Sequence, residues 1–359
     1  MRAELLVDST ELQARLEEDL GRARRKAWIQ TFSFEGDRTG SLLARRLKAS
    51  PAADRRLLID SFSRLWHSCR LIPGPAWADP SLRHEVGRTR GWIRRLREHG
   101  VGVRFSNPLG PWPTRLFRRN HKKLALFDDR VAYLGGINFC DHNYAWHDMM
   151  IRVEDPALGR LLSGDFESTW EGRPRSFDEE VGGIRVISLN GRGNPQRLRP
   201  VLDAIDGARR EIAVVSAYLS PPFSDRLAAA SRRGVRVRVL TPARNTNPNL
   251  ARFILEAARR HRFEIARYPG RMNHLKAMLV DQELLIAGSC NFDFLSYHIL
   301  EEVVVLTRDP GLVDAFLRRV WLPDLAAATP REPRTSLRTR LGHASVRIGA
   351  ALASAVALP

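Results

Sequence analysis

Two well separated stretches, HKKLALF from His121 and HLKAMLV from His274, each pass from a polar start into four apolar residues and read as β-strands, in which residues two apart face the same side. Two further segments read alike: ARRKAWIQTFSF from Ala23 and ARREIAVVSAYLS from Ala208 each end a helix and run into an apolar strand. Each is followed by a helix-like stretch (SLLARRLKAS, FSDRLAAASRRG) and another apolar strand (RRLLIDSFS, VRVRVLTP). That β-α-β order predicts an α/β layer, present twice. The pattern divides the chain into a first half (1–170), a linker (171–184) containing EGRPRSFDEEVGG, a second half (185–330) and a tail (331–359). The tail is basic and then apolar, and reads either as an interfacial amphipathic helix or as a self-packed terminal one. The segment His67 to Trp92 has no evident counterpart in the second half.

Composition narrows the partners. At 359 residues the chain can bury two cores, and 43% hydrophobic with 27% charged residues suits a soluble globular protein. A net charge of +18 favours a polyanion: nucleic acid, an anionic membrane surface or a phosphate-bearing substrate. Nearly all that charge is Arg, which compositional bias would also supply. Cys69, Cys140 and Cys290 lie far apart, so neither a disulfide framework nor a zinc spacing is legible, and a reducing compartment is expected. The start, MRAELLVDSTELQARLEEDL, lacks the features of a signal peptide, and the longest apolar run, IGAALASAVALP, falls short of the roughly 20 residues of a spanning helix.

Chemistry is carried by a repeat. His121, Lys123 and Asp128 have the spacing of His274, Lys276 and Asp281; Gly135, Gly136 and Asn138 have that of Gly288, Ser289 and Asn291. The chain has five lysines, and two fill the equivalent positions in a protein that otherwise uses Arg. A compact ammonium approaches a phosphate oxygen as a point donor, unlike a guanidinium fork. On a strand, His and the Lys two residues on share a face. A hairpin turning between 129 and 130, or 282 and 283, would place Asn138 opposite His121 and Asn291 opposite His274. Lys123 would then face Gly136, and Lys276 would face Ser289, small residues that leave room for a phosphate. Asp128 and Asp281 fall at the turns, either as turn formers or as catalytic groups. A histidine nucleophile needs an acceptor on its second nitrogen; Asp148, 27 residues after His121, and Glu302, 28 after His274, are the candidate orienters.

Two imidazoles flanked by ammonium and amide donors suit the cleavage of a phosphodiester in two displacements, with a phosphohistidine between them. Lys123, Lys276, Asn138 and Asn291 would hold the non-bridging oxygens. This doubled motif, across roughly Ala23 to Leu317, resembles the phospholipase D superfamily. RRNHKKLALFDDRVAYLGGINFCD, the Trp-His-Asp at 146–148 and GSCNFDFLSYHILEEVVV look most like bacterial cardiolipin synthases. The resemblance implies two α-β-α sandwich domains related by a pseudo-twofold, with one active site shared at their interface and neither metal nor cofactor. It implies phosphatidyl transfer between two molecules of phosphatidylglycerol, an anionic phospholipid, by a peripheral protein of the cytoplasmic membrane face with no obligate protein partner. No span like those at the start of many cardiolipin synthases is legible, which favours the shorter, peripheral members. Cys140 and Cys290 replace residues that are often Gly or Ala in relatives, and His298 sits in SYHILEE, departures that bear on the acceptor. A phospholipase D-type hydrolase, a nuclease and a non-catalytic basic membrane-binding protein are the other readings. Before His121 the loop PLGPWPTRLFRRN offers Trp112, Leu116 and Phe117, either to a membrane interface or to the core.

Overall fold

In strand β2 (Lys26–Thr31), Ala27 and Ile29 face one side and Trp28 the other, and all three are buried, so the strand must be covered on both faces. The computed structural model describes residues 1–72, 74–109, 117–330 and 337–356, and shows how this is done. Helices Asp8–Arg22 and Arg38–Ala49 cover one face through Leu12, Leu16, Leu20, Leu43 and Leu47. Helix Pro156–Trp170 covers the other, with Phe166 stacked on Trp28 at 4.9 Å between centroids.

This first unit comprises Met1–Ala145 and Met149–Arg175. Its sheet contains β1 (Arg2–Val7), β2, β3 (Asp54–Asp60), β6 (Gly102–Ser106), β7 (Leu124–Phe127), β8 (Val131–Gly135) and β9 (Met149–Glu154), in the order β1-β9-β8-β7-β2-β3-β6. Strands β2, β3 and β6 are parallel and the others antiparallel. A small hairpin, β4 (Trp66–His67) with β5 (Arg70–Leu71), stands apart from the sheet.

The second unit, Trp146–Asp148 and Ser176–Pro359, repeats the arrangement. Its strands are β10 (Phe177–Val181), β11 (Ile184–Ser188), β12 (Glu211–Ser216), β13 (Arg236–Pro242), β14 (Glu264–Tyr268), β15 (Lys276–Val280), β16 (Leu284–Gly288), β17 (Val303–Thr307) and β18 (Thr329–Pro330). The run β17-β16-β15-β12-β13-β14 has the order and parallel core of β9-β8-β7-β2-β3-β6. Helices Arg199–Asp206, Phe223–Arg232 and Pro248–His261 bury Leu202, Ile205, Leu227, Phe253 and Ile254 on one face. Beyond helix Pro310–Phe316, on the other face, Trp321 receives the Arg238 guanidinium of β13 at 5.0 Å. The α/β class and the duplicated α-β-α sandwich are thus present in both units.

Three boundaries differ from the sequence reading. Five residues of the expected linker 171–184 are strand: Phe177–Val181 pairs antiparallel with β11, because Gly182 and Gly183, at φ 56° and 82°, reverse the chain and buried Phe177 anchors it. The segment His67 to Trp92 is only partly extra. Helix Pro80–Glu98 stands between β3 and β6 as Pro248–His261 stands between β13 and β14, leaving the β4–β5 hairpin as the addition. The tail forms helix Leu337–Val356, which packs on Pro248–His261 with His343 stacked on Phe253 at 4.8 Å. No helix among the described residues is long and apolar enough to cross a membrane. Trp112 and Leu116 lie outside the described residues, while Phe117 is exposed.

Candidate active site

Each His-Lys motif enters a tight hairpin. The observed pairs run from Leu124 with Leu134 to Phe127 with Val131, and from Ala277 with Ala287 to Val280 with Leu284. Three residues therefore form each turn, and the register is one residue tighter than expected. Asp128 and Asp129 (φ 54° and 56°), like Asp281 and Gln282 (53° and 60°), adopt the left-handed conformation that closes the chain quickly. Extended by one pair, this register sets Gly135 and Gly288, not Gly136 and Ser289, across from Lys123 and Lys276. Glycine is required at that point: a Cβ on Gly135 would lie 2.5 Å from the Met149 carbonyl oxygen.

The motif aspartates are structural clips. The Asp128 carboxylate accepts the backbone N–H groups of Arg24, Arg25 and Lys26 at 3.0, 2.7 and 2.8 Å. Asp281 accepts those of Arg209, Arg210 and Glu211 at 2.9, 2.7 and 3.0 Å. Partial burial pushes these carboxyls up, but three donors each outweigh it and hold them below their ordinary value. Four strand residues, a span of roughly 17 Å, separate each Asp from its motif Lys. That distance removes Asp128 and Asp281 from the catalytic set in which the sequence reading had placed them.

At the other end of the sheet, beside the carboxyl ends of the parallel strands, the histidines find their partners. His274 is buried, and its Nδ1 lies 2.7 Å from Asp148 Oδ2. Two backbone bonds put Asp148 there: His147 N–H donates to the Met272 carbonyl at 2.8 Å, and His274 N–H to the His147 carbonyl at 2.7 Å. His147 is itself braced by Asp324 at 2.9 Å and by the face of Tyr268. The orienter of His274 is therefore Asp148, whose position in the first half had suggested His121. Glu302, expected to orient His274, instead accepts the hydroxyls of Ser289 at 2.5 Å and Ser296 at 2.9 Å. Sequence distance misled here because the 146–148 segment leaves its own half and packs with the second unit.

Lys276 completes this trio. Its ammonium lies 2.8 Å from His274 Nδ1, bonds the His274 carbonyl and stands 3.8 Å from Asp148. One nitrogen cannot donate to a carboxylate and also accept from an ammonium; the proton belongs on Nδ1, facing the anion, which puts the ring's lone pair on Nε2. Burial lowers the Lys276 pKa to about 8, opposed by the charges of Asp148, Glu302 and Asp293. In the first unit Lys123, also buried, donates to the His121 carbonyl at 2.6 Å. An aromatic ring from the stretch after the first parallel strand flanks each imidazole: Phe32 at 5.3 Å from His121 and Tyr218 at 6.0 Å from His274.

The two asparagines are buried beside these groups. Asn138 Oδ1 accepts from Thr31 Oγ1 at 3.2 Å and from Ser33 N at 3.4 Å. Asn291 is also buried, and its Oδ1 has no hydrogen-bond partner among the described residues. Gly136 and Ser289 do not fit the phosphate-binding role expected of them. The N–H groups of Gly136 and Ser289 close onto Met149 O and Val303 O at 3.0 and 2.9 Å. The Ser289 hydroxyl is spent between Glu302 and the Val303 N–H.

A family model described as cardiolipin synthase, PLD-like domain matches residues 16–170 and 201–321. The chain belongs to the phospholipase D superfamily. Among curated relatives, cardiolipin synthase B of Escherichia coli strain K12 is 26% identical over 317 residues, covering 81% of this chain and 72% of its own. Cardiolipin synthase A of Pseudomonas putida strain W619 is 26% identical over 380 residues, covering 97% and 73%. Phosphatidylserine synthase of Haemophilus influenzae Rd KW20 shares the fold, with a TM-score of 0.70 and 14% identity over 99% of this chain and 95% of that one.

In this phospholipase D-like chain the sequence reading passed over Asn120 and Asn273, the residues before the two histidines. Both are buried, and each accepts the N–H two residues on, from Lys122 and Leu275, at 3.2 Å. They shape the turn that delivers each imidazole. The repeated Asn-His pair was the available signal.

Proposed function

We propose that the chain is a phosphatidyltransferase that makes cardiolipin from phosphatidylglycerol, with both trios serving one phosphodiester. The observation that carries this reading is the buried Asp148–His274–Lys276 arrangement, in which the carboxylate on Nδ1 directs the ring's lone pair to Nε2 for nucleophilic or acid-base work, within a motif repeated at His121, Lys123 and Asn138. In the first displacement one imidazole nitrogen bonds to phosphorus as the bond to the headgroup glycerol oxygen breaks. The other histidine gives that oxygen its proton. In the second, the hydroxyl of another phosphatidylglycerol loses its proton to the same histidine, and its oxygen displaces the phosphohistidine nitrogen. Lys123, Lys276, Asn138 and Asn291 face the charge that builds on the non-bridging oxygens.

A lipid substrate is favoured over nucleic acid by two surfaces. Helix Leu337–Val356 exposes Leu337, Leu341, Ile348 and Leu352, at 73, 61, 61 and 62%. At 100° per residue these fall within an arc of about 60°, opposite the packed face and flanked by Arg338 and Arg340. Apolar side chains between cations suit an anionic bilayer surface. The first unit also holds a cavity of about 480 Å³ whose lining joins Phe34, Ile59, Ile93 and Phe105 to Arg64 and Arg90, a combination that suits an acyl chain and its phosphate. Both surfaces support a peripheral position on an anionic membrane. The test is product analysis with phosphatidylglycerol vesicles, DNA and RNA offered in parallel. Cardiolipin with released glycerol is expected; nucleolysis without lipid turnover would overturn the reading, and phosphatidic acid alone would make the protein a hydrolase.

A further inference from the structure

Outside the trios, the first unit gathers a set of donors that the reaction does not use. Glu35, just after β2, and Cys140 are 1% and 0% exposed, and His142 follows on the short helix Asp141–Tyr144. One donor atom from each lies within 4.8 Å of the others. Cys140 Sγ is 3.6 Å from His142 Nε2, and His142 Nδ1 is 3.6 Å from Glu35 Oε2. A fourth donor is offered by the β4–β5 hairpin, whose turn carries the exposed Cys69 next to Ser68, the residue whose N–H donates to Glu35.

Two observations separate this cluster from an ordinary polar contact. Glu35 Oε2 is buried and makes no hydrogen bond among the described residues, with the His142 ring 3.6 Å away, while Oε1 accepts the Ser68 N–H at 3.1 Å. A buried carboxylate oxygen left in that state is costly unless a cation meets it. With one ring nitrogen taken from His142 the three donor atoms lie within 4.8 Å of one another, and ligands held tetrahedrally at ~2.0–2.3 Å from zinc are roughly 3.3–3.8 Å apart, so side-chain rotations of about an ångström close the shell. A nucleophilic Cys–His–Glu triad is the competing arrangement, but a fully buried Cys140 cannot reach a substrate.

We propose that Cys69, Cys140, His142 and Glu35 bind a structural zinc ion that clips the β4–β5 hairpin to the first unit. Two thiolates, an imidazole and a carboxylate match zinc in softness and number, and four protein ligands leave no open position for catalysis. One ring nitrogen takes the metal, so loading includes a small rotation of the His142 ring. Asn143, whose Oδ1 now accepts the Cys140 thiol at 3.0 Å, would turn its N–H2 toward the thiolate. The spacing conceals the site, because only Cys140 and His142 are close in sequence.

The full chain, purified without chelator and desalted after incubation with zinc, is analysed for metal by plasma mass spectrometry. About one zinc per chain is expected, with near-complete loss in Cys140→Ser and His142→Ala and full retention in Cys290→Ser. Because those variants could fail to fold, the wild-type protein is also loaded with cobalt, for which thiolate-to-cobalt charge-transfer absorption is expected. Absence of bound zinc in the wild type, full retention in Cys140→Ser, cobalt uptake without thiolate bands, or a Cys69–Cys140 disulfide would each overturn the proposal.

Discussion

Replacing Asp148 by Asn keeps the shape of the side chain and removes its charge, which isolates what that charge does. Asp148 lies 2.7 Å from His274 Nδ1 and 3.8 Å from the Lys276 ammonium, and all three groups are buried. At an effective dielectric of about 20, opposite charges 3.8 Å apart attract by roughly 4 kcal/mol, equivalent to about three pKa units. Lys276 titrates at about 8 with Asp148 in place. The carboxylate favours the protonated amine, so its loss moves the Lys276 pKa down, below neutrality, and the variant holds an uncharged amine at pH 7.5. The His274 Nδ1 proton also loses its anionic acceptor. The assay is cardiolipin formation from phosphatidylglycerol vesicles between pH 5.5 and 9. We expect kcat/KM at pH 7.5 to fall by about 10²–10⁴, and the basic limb to move from near 8 to below 7, so that the deficit is smaller at pH 6 than at pH 8. A basic limb still near 8 in Asp148→Asn would refute the electrostatic argument, and unchanged activity would refute the orienting role.

Other changes separate structural from chemical roles. Asp128→Ala and Asp281→Ala each strip an acceptor from three backbone donors and should cost about 1–2 kcal/mol, a drop of roughly 2–8 °C in Tm, with activity at low temperature within a few-fold of wild type. Because the folded-state pKa of each lies below 3.8, its contribution is complete above that value and is lost as pH falls through the depressed one. Acid unfolding of the Ala variants should accordingly show a shallower dependence on pH below about 4. Ser289→Ala leaves the Val303 N–H and one Glu302 oxygen short of a partner; about 1–3 kcal/mol of stability should be lost, with KM for lipid unchanged. Leu341→Glu with Ile348→Glu charges the exposed stripe and should weaken binding to anionic vesicles at least about tenfold, measured by flotation, while activity on detergent-dispersed substrate persists.

The parts of the fold visible in the sequence were those that repeat. Ala23 to Phe34 and Ala208 to Ser220 share one apolar pattern because each must lay a strand between two helical layers, and the duplicated sandwich follows from that. His121, Lys123, His274 and Lys276 were legible because lysine is scarce and strand period aligns it with His. What escaped depended on conformation the pattern does not encode. Two successive left-handed residues tightened each turn by one position, moving Gly135 and Gly288 opposite the lysines. The role of Asp148 was hidden because a three-residue excursion, fixed by two backbone bonds to Met272 and His274, carries it into the other unit. Ser289 looked available for phosphate only because its bond to buried Glu302, thirteen residues on, has no local signature.

The central claim is that two histidines share one phosphoryl transfer through a covalent intermediate. Intact-protein mass spectrometry after brief incubation with short-chain phosphatidylglycerol, on the wild type and on His121→Ala and His274→Ala, tests it most directly. We expect a single phosphatidyl adduct on one histidine of the wild type, absent when that histidine is replaced, and no cardiolipin from either variant. Cardiolipin formed at the wild-type rate by either variant would contradict the account.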